Sequence, residues 1–504
     1  MLVKQISFRV DASVQMGTGH FMRCLTLADA LKQRGSQIRF VSRHLPDHLC
    51  NMLKDKGHEF VLLDNTLSDV TLDELAHAQW LGVSQERDAS DSIQALADRT
   101  WDWLIVDHYA LDSRWESMLR KSVKNIMVID DIADRHHDCD MLLDQNFYAD
   151  MESRYVGNVP GHCQLLMGPR YALLRDEFRQ LHERLEPRSG PVKRVLIFFG
   201  GVDVDNYTGR VIEALSEIDV QDFHVDVVIG VQHPCREQIK TACAQSGFAC
   251  HVQTDKMADL MAAADLAIGA GGGASWERCC LGLPTLVICT ADNQSRQIVD
   301  AAKKGLLYAP ALGKDFVSWV RNHVVALLEN DNLRWFICCR SMQVVDGRGV
   351  LRVIRNLGCS GIEMREVSVA DSPNLFTWRN HPSTRAVSRN KELIEWEDHQ
   401  TWFASVLCSK DIDLLVGLRG EDFVGVVRFD RQASVAEVSI YLVPDGNNYG
   451  RGHDLLLSGE QWIKENRPEV KHIRACVIGG NELSHHLFLG AGYKVEDTHY
   501  LKIH

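Results

Sequence analysis

Long apolar runs, an excess of basic residues and paired-cysteine motifs are all missing from this 504-residue chain. No stretch supplies the roughly 20 consecutive apolar residues that a bilayer span needs. Strand-like sequence begins within a few residues of Met1, which leaves no room for a secretory leader and predicts a cytoplasmic protein. Lys and Arg number 55 against 68 Asp and Glu, a formal charge of −13. That balance excludes nonspecific nucleic-acid binding and docking on an anionic membrane as organising functions. An anionic substrate must then be held by local dipoles and a few cations. The 15 cysteines contain no C-x-x-C and include the adjacent pairs Cys279-Cys280 and Cys338-Cys339, which favours reduced, buried thiols over a disulfide framework. The histidines lack paired ligand spacing, so no metal is expected.

The length suggests about three domains. From Met1 to about Tyr171, apolar strands at Gln5–Val10, Ile38–Ser42, Phe60–Leu63, Trp103–Asp107 and Ile126–Asp131 alternate with helical patterns, the signature of a doubly wound parallel sheet. A charged helix from Arg175 to Leu185 leads to the breaker cluster Pro187-Arg-Ser-Gly-Pro191. A second alternating unit follows, with strands at Val195–Phe199, Val225–Ile229, Leu266–Ile268 and Thr285–Cys289. A third begins near Ile362. The expected domains are 1–185, 192–350 and 362–504.

The first strand runs into Gly17-Thr-Gly19-His20-Phe-Met-Arg23. Gly17 and Gly19 permit a tight turn and close approach of backbone N–H groups to a ligand. His20 falls in the first helical turn, where the helix dipole disfavours a second positive charge and keeps the imidazole neutral, hence basic. Taken alone, such a turn reads equally well as a surface histidine at a strand-to-helix junction. Two later strands end in Asp107-His108-Tyr109 and Asp130-Asp131, beyond the carboxyl ends where doubly wound sheets bind ligands; Asp131 taken alone reads more readily as a helix cap. In the second unit, strands end in Gly200-Gly201-Val-Asp203 and in Gly269-Ala-Gly271-Gly272-Gly273-Ala-Ser275-Trp-Glu277-Arg278. Glycine runs between strand and helix offer open N–H groups to a phosphate. Glu277 either accepts from ribose hydroxyls or complements the helix dipole. Asp292-Asn293-Gln294 opens another helix on the same side.

Together, Gly17-x-Gly19-His20-x-x-Arg23, Val106-Asp-His-Tyr109, Ile129-Asp-Asp131, Gly168-Pro-Arg-Tyr-Ala-Leu-Leu-Arg175, Phe199-Gly-Gly201-x-Asp203, Ser275-Trp-Glu-Arg278 and Ala291-Asp-Asn-Gln294 resemble the UDP-sugar hydrolase family of pseudaminic acid biosynthesis, over about residues 1–350. The resemblance implies an α/β fold of the GT-B kind, a pair of Rossmann-like domains. It also implies inverting hydrolysis of UDP-2,4-diacetamido-2,4,6-trideoxy-β-L-altropyranose to UDP and free sugar. His20 takes the place of the family's catalytic base, and Asp11, Tyr109 and Asn293 are expected to position sugar or water. Gly17, Gly19, Arg23, Gly200, Gly201, Gly271, Gly272, Ser275, Glu277 and Gln294 are expected around the substrate. Gly273-Ala274 departs from the hydroxyl pair often found before the family's Ser-Trp-Glu-Arg run.

Beyond Ile362, helix-like Ser372–Asn380 and Asp398–Leu407 precede strands near Asp413–Leu418, Phe423–Phe429 and Glu437–Val443. Asn447-Asn-Tyr-Gly450-Arg451-Gly452 then leads into a helix near His453. This resembles the acetyl-CoA loop of the GNAT N-acetyltransferases, with Asn447 in place of the usual Gln or Arg. Asn481-x-x-Ser484-x-x-Leu-Phe488-x-x-Ala-Gly-Tyr493 resembles that family's last helix, and Phe488 holds the position often given to an acidic tyrosine. Trp378-Arg-Asn-His-Pro382 and His399-x-x-Trp402-Phe403 resemble its amino-sugar members. The resemblance implies a GNAT α/β domain using acetyl-CoA as co-substrate, with Asn447, Gly450, Arg451, Gly452 and Asn481 at the cofactor, and acetylation of the UDP-linked 4-amino sugar that precedes the hydrolase substrate. Two other readings stay open: a GT-B glycosyltransferase, and a hydrolase with a degenerate acetyl-CoA-binding regulatory domain.

Overall fold

The computed structural model describes residues 4–13, 15–65, 73–218, 223–291, 294–359, 361–419, 422–444, 451–478 and 481–495. It divides into an N-terminal unit, Lys4–Val353, and a C-terminal unit that begins at Ile354.

In the N-terminal unit, β1 (Gln5–Val10), β2 (Gln37–Ser42), β3 (Glu59–Leu62), β4 (Trp101–Asp107), β5 (Val123–Ile129), β6 (Met141–Asp144) and β7 (Gln164–Met167) form one sheet ordered β3-β2-β1-β4-β5-β6-β7. Every pairing is parallel. Its central strands are covered on both faces, so Ile6, Phe8, Val10, Ile105 and Ile126 are fully buried, the hallmark of a sheet sandwiched between helix layers. The chain winds outward from β1 through β2 to β3, then returns to β4 on the other side. The carboxyl ends of β1 and β4 therefore flank the point where strand order reverses, the natural crevice of such a sheet.

The same design recurs in β8 (Arg194–Phe198), β9 (His224–Ile229), β10 (Ala249–Val252), β11 (Leu266–Ala270) and β12 (Thr285–Ile288), ordered β10-β9-β8-β11-β12 and wholly parallel. Its reversal lies between β8 and β11, the two strands that end in glycine loops. The helix Asp176–His182 lies before the breaker cluster in sequence, yet its Phe178 is fully buried with Met261, Trp276 and Cys280 of the second half. The chain thus crosses between halves ahead of the proline-rich segment.

The C-terminal unit is a mixed sheet of β13 (Glu363–Glu366), β14 (Ile412–Arg419), β15 (Asp422–Gln432), β16 (Val435–Leu442) and β17 (His472–Ala475), in sequence order. The first four strands meander antiparallel, while β16 and β17 run parallel. A parallel pair needs a crossover, which the helix Gly452–Asn466 supplies. Leu455 of that helix is fully buried. It seats on the sheet because a Cβ at Gly417 or Gly425 would lie only 2.3 or 2.4 Å from its methyl groups. Among the described residues, no helix is long and apolar enough to cross a membrane.

Candidate active site

The helix Gly19–Lys32 opens at Thr18, whose side chain makes no cap. Gly17 turns the chain at φ +73° and its N–H donates to the Ser13 carbonyl at 2.8 Å. Gly19 has ordinary helical geometry with open space where a Cβ would stand, so only the first glycine is required by backbone conformation.

His20, the second residue of that helix, is fixed by a partner from β4. Its Nδ1 lies 2.6 Å from Asp107 Oδ1, and the Asp107 side chain is wholly buried while that of His20 is 11% exposed. Arg23, one turn on, donates from Nε to Asp107 Oδ2 at 2.6 Å and from Nη2 to Oδ1 at 2.7 Å. Its Nη1 reaches Asp131 Oδ2 at 3.1 Å. Burial opposes the charge on Asp107, but Arg23 and then His20 outweigh it and hold the carboxyl below the usual carboxylate range. An ionised acceptor facing Nδ1 makes that nitrogen the protonated one and leaves Nε2 as the basic lone pair. The sequence pointed to the helix dipole as the influence on this ring; in the structure the Asp107 carboxylate orients it and sets its tautomer. Asp107 could have been singled out, since it ends a strand beside the same crevice.

Tyr109 follows two residues later. Its hydroxyl donates to Asp131, and its ring meets His20 edge-on at 4.6 Å. Burial first, then Asp131, raises its pKa well above the ordinary phenol value, so it stays a neutral donor. Asp131 also accepts from Asn146 Nδ2 at 3.2 Å, and Asn146 Oδ1 accepts from the Trp276 indole at 2.9 Å. Trp276 stands in the helix Gly273–Cys280, directly after the glycine loop. A continuous path of polar contacts therefore joins His20 to the phosphate-type loop of the other half.

Asp11 requires correction. It is fully buried, and its oxygens accept from Arg9 Nη1 at 2.6 Å and Nη2 at 3.1 Å and from the Arg43 backbone N–H at 2.7 Å. His108 Nε2 lies 3.3 Å away. Asp88 binds the other side of Arg9. A carboxylate engaged on all sides inside the protein shapes the turn after β1 and does not face the cleft.

On the opposite half, Gly200 has φ +95° and Gly272 φ +84°. A Cβ at Gly271 would come within 2.5 Å of Ile298 and 3.0 Å of Gln294 Oε1, so a larger residue there would have to displace the Ile298 side chain. Gln294 thus lies against the glycine loop as expected, with Oε1 buried and without a hydrogen-bond partner among the described residues. A Cβ at Gly201 meets nothing within 4 Å, while its carbonyl packs on Gly230, where a Cβ would lie 2.1 Å from the oxygen. Ser275 is buried and accepts from Arg278 Nη2 at 3.2 Å. Arg278 itself is buried, also donates to the Ala270 carbonyl at 2.5 Å, and has no carboxylate in hydrogen-bond reach among the described residues. Burial lowers its pKa to about 10, so it remains a cation beneath the loop. Glu277 is half-buried, with Arg175 at 4.0 Å, and burial raises its pKa. Asn293 lies outside the described residues.

In the C-terminal unit, Asn447 and Gly450 also lie outside the described residues. Arg451 is the N-cap position and Gly452 the first residue of the crossover helix, which has no side-chain cap. Asn481 is corrected to a helix cap: its side-chain oxygen accepts from Ser484 N at 3.1 Å. Tyr493 donates to Glu460 at 2.9 Å, and Arg355 holds the other oxygen at 2.7 Å. Phe488 is buried against the Tyr493 ring. No group of three His, Cys, Asp or Glu suited to a metal occurs among the described residues.

No family model matches the chain. It is 24% identical over 97% of its length to an uncharacterized protein of Methanocaldococcus jannaschii, covering 96% of that protein. It is 26% identical to the UDP-2,4-diacetamido-2,4,6-trideoxy-beta-L-altropyranose hydrolase of Campylobacter jejuni, over 60% of this chain and 97% of that one. A third relative, the spore coat polysaccharide biosynthesis protein SpsG of Bacillus subtilis, is 27% identical over 41% of this chain and 61% of its own. Among solved structures, the UGT2 of Phytolacca americana, complexed with UDP-2-fluoro-glucose and pterostilbene, superposes with a TM-score of 0.51 at 11% identity, covering 71% of this chain and 99% of that one. Over that share, the fold is the GT-B arrangement of two Rossmann-like halves.

Proposed function

We propose that the N-terminal unit is a UDP-sugar hydrolase acting on UDP-2,4-diacetamido-2,4,6-trideoxy-β-L-altropyranose, and that the C-terminal unit is a GNAT-type acetyltransferase for its UDP-linked 4-amino precursor. The observation that carries the hydrolase reading is the His20–Asp107 contact, which leaves Nε2 as a base beside the cleft. The similarity to the Campylobacter jejuni hydrolase across nearly the whole of that protein supports the substrate.

Diphosphate is a good leaving group, so the protein must activate water and receive negative charge. His20 Nε2 takes a proton from water, whose oxygen attacks the anomeric carbon on the face opposite UDP. The C–O bond breaks with its electron pair passing to the β-phosphate oxygen, and configuration inverts. Asp107 stabilises the imidazolium so formed, which then releases its proton to solvent. Arg23 holds Asp107, Tyr109 and Asn293 position sugar or water, and Asp11 supports the turn. The N–H groups of Gly19, Gly200, Gly201, Gly271 and Gly272, the turn made by Gly17, the Ser275 helix and buried Arg278 receive UDP, with Glu277 and Gln294 at the nucleoside end. In the C-terminal unit, the amides around Asn447, Gly450, Arg451 and Gly452 hold the pyrophosphate of acetyl-CoA.

Incubating the UDP-sugar without acceptor should yield UDP and free sugar. His20→Asn should lower that rate by about 10² to 10⁴, the range for losing a general base, while UDP-sugar binding persists. Near-normal turnover in the variant removes the base assignment. A requirement for an acceptor hydroxyl converts the enzyme to a glycosyltransferase.

A further inference from the structure

The short turn Ala78–Trp80 lies next to the site, and neither the resemblance nor the sequence patterns drew attention to it. Trp80 stacks on Tyr109 with ring centres 5.8 Å apart and an interplanar angle of 28°. His77 lies 4.3 Å from Trp80 and 5.3 Å from Tyr109. Tyr109 in turn meets His20 at 4.6 Å. Trp80 and His77 are half-buried, and neither joins the core beneath them, which is built from Leu81, Val83 and Leu111. Aromatic rings left partly open beside a catalytic base have a contact surface still to fill.

We propose that Trp80 and His77 form the wall of the sugar subsite, taking the apolar edge of a deoxy acetamido hexopyranose while UDP occupies the glycine loops. The inference rests on the UDP-sugar reading above and deepens it. A pyranose presents C–H bonds along its ring edge, and these pack favourably on an aromatic face. A 6-deoxy sugar adds a methyl group to that edge. A 6-hydroxyl placed there would lose its hydration without gaining a partner, and an apolar wall discriminates against such an added hydroxyl by at most about 10². Trp80 and His77 therefore act on specificity and binding, and His20 on the chemistry.

The test uses full-length His20→Asn protein, in which bound substrate survives, and measures dissociation constants for UDP and for UDP-2,4-diacetamido-2,4,6-trideoxy-β-L-altropyranose by calorimetry. Adding Trp80→Ala should reduce the preference for UDP-sugar over UDP by up to about tenfold, the scale of a lost aromatic contact. UDP affinity itself should hold, and Trp80→Phe should restore most of the preference. An unchanged preference in Trp80→Ala overturns the proposal. So does equal weakening of both ligands, which would mark a structural role. Absence of UDP release by wild-type protein, alongside a Trp80-dependent preference, would remove the hydrolase reading and keep the wall.

Discussion

The turn after β1 and the last helix of the C-terminal unit both carry motif residues, and the partners of those residues differ. Around His20, residues from three separate segments converge: Asp107 at the end of β4 with Tyr109 just beyond it, Asp131 after β5 and Asn146 after β6. Their charges and hydrogen bonds are directed at one another and at the cleft. In the C-terminal unit, the polar groups with motif resemblance serve local structure instead. Asn481 caps its own helix, and Tyr493 closes on Glu460 and Arg355. A motif becomes a site when distant strands aim at it, and the turn after β1 meets that condition where Asn481 and Tyr493 do not.

The largest expected effect is Asp107→Asn. The amide would direct an N–H at His20 Nδ1, place the ring proton on Nε2 and remove the base while leaving the shape intact. Loss of the carboxylate also removes the main counter-charge of Arg23. Turnover should fall by at least about a hundredfold with little change in substrate affinity, measured as kcat against KM. A rise in KM with kcat unchanged would show that Asp107 serves binding alone and would erase the contrast.

Much of this corner was legible in the sequence because its strands are long and apolar. β1 begins and ends as its pattern predicts, and β4 ends on Asp107 as expected. Strands β6, β7, β10 and β17 were not anticipated, and each has only four residues, too few to show a periodicity of two. Missing β6 hid Asn146, and with it the link to Trp276. Asp11 misled for a different reason. An acidic residue ending a strand beside a crevice reads as a ligand group, and nothing in the local sequence reveals that Arg9, Arg43 and His108 surround it. Pairing of residues far apart in sequence, such as Arg9 with Asp88, is what a single chain read in order conceals.

A substitution at Gly452 tests the weaker side of the comparison. If the amides entering the crossover helix hold a pyrophosphate, a carboxylate there repels it and forfeits the favourable interaction of anions with a helix N-terminus. Among the described residues, a Cβ at this position comes no closer than 3.8 Å, to Leu487, so Gly452→Asp fits against them. Acetylation of the UDP-4-amino sugar by full-length protein should fall about tenfold or more, while hydrolysis of the acetylated substrate is unchanged. Mass spectrometry of the amino sugar with and without acetyl-CoA reads the first, and UDP release reads the second. Wild-type protein that never transfers acetyl would leave the C-terminal unit as a regulatory or degenerate domain.

Trp276→Phe should have the smallest effect and probes how the two halves of the first site are joined. The substitution keeps an aromatic ring in the buried position but removes the indole N–H that Asn146 Oδ1 accepts. Leaving a buried acceptor unpaired costs about 1–3 kcal/mol, so stability to denaturant should fall by that amount. Asn146 then loses one of the contacts that orient it toward Asp131, and Asp131 is shared by Arg23 and Tyr109. If the path transmits position as well as stability, kcat should fall a fewfold at temperatures where the variant is fully folded, and Asn146→Ala combined with Trp276→Phe should cost no more than the larger single change. Additive losses in kcat would mean that the glycine-loop helix and the His20 corner are set independently, each by its own sheet.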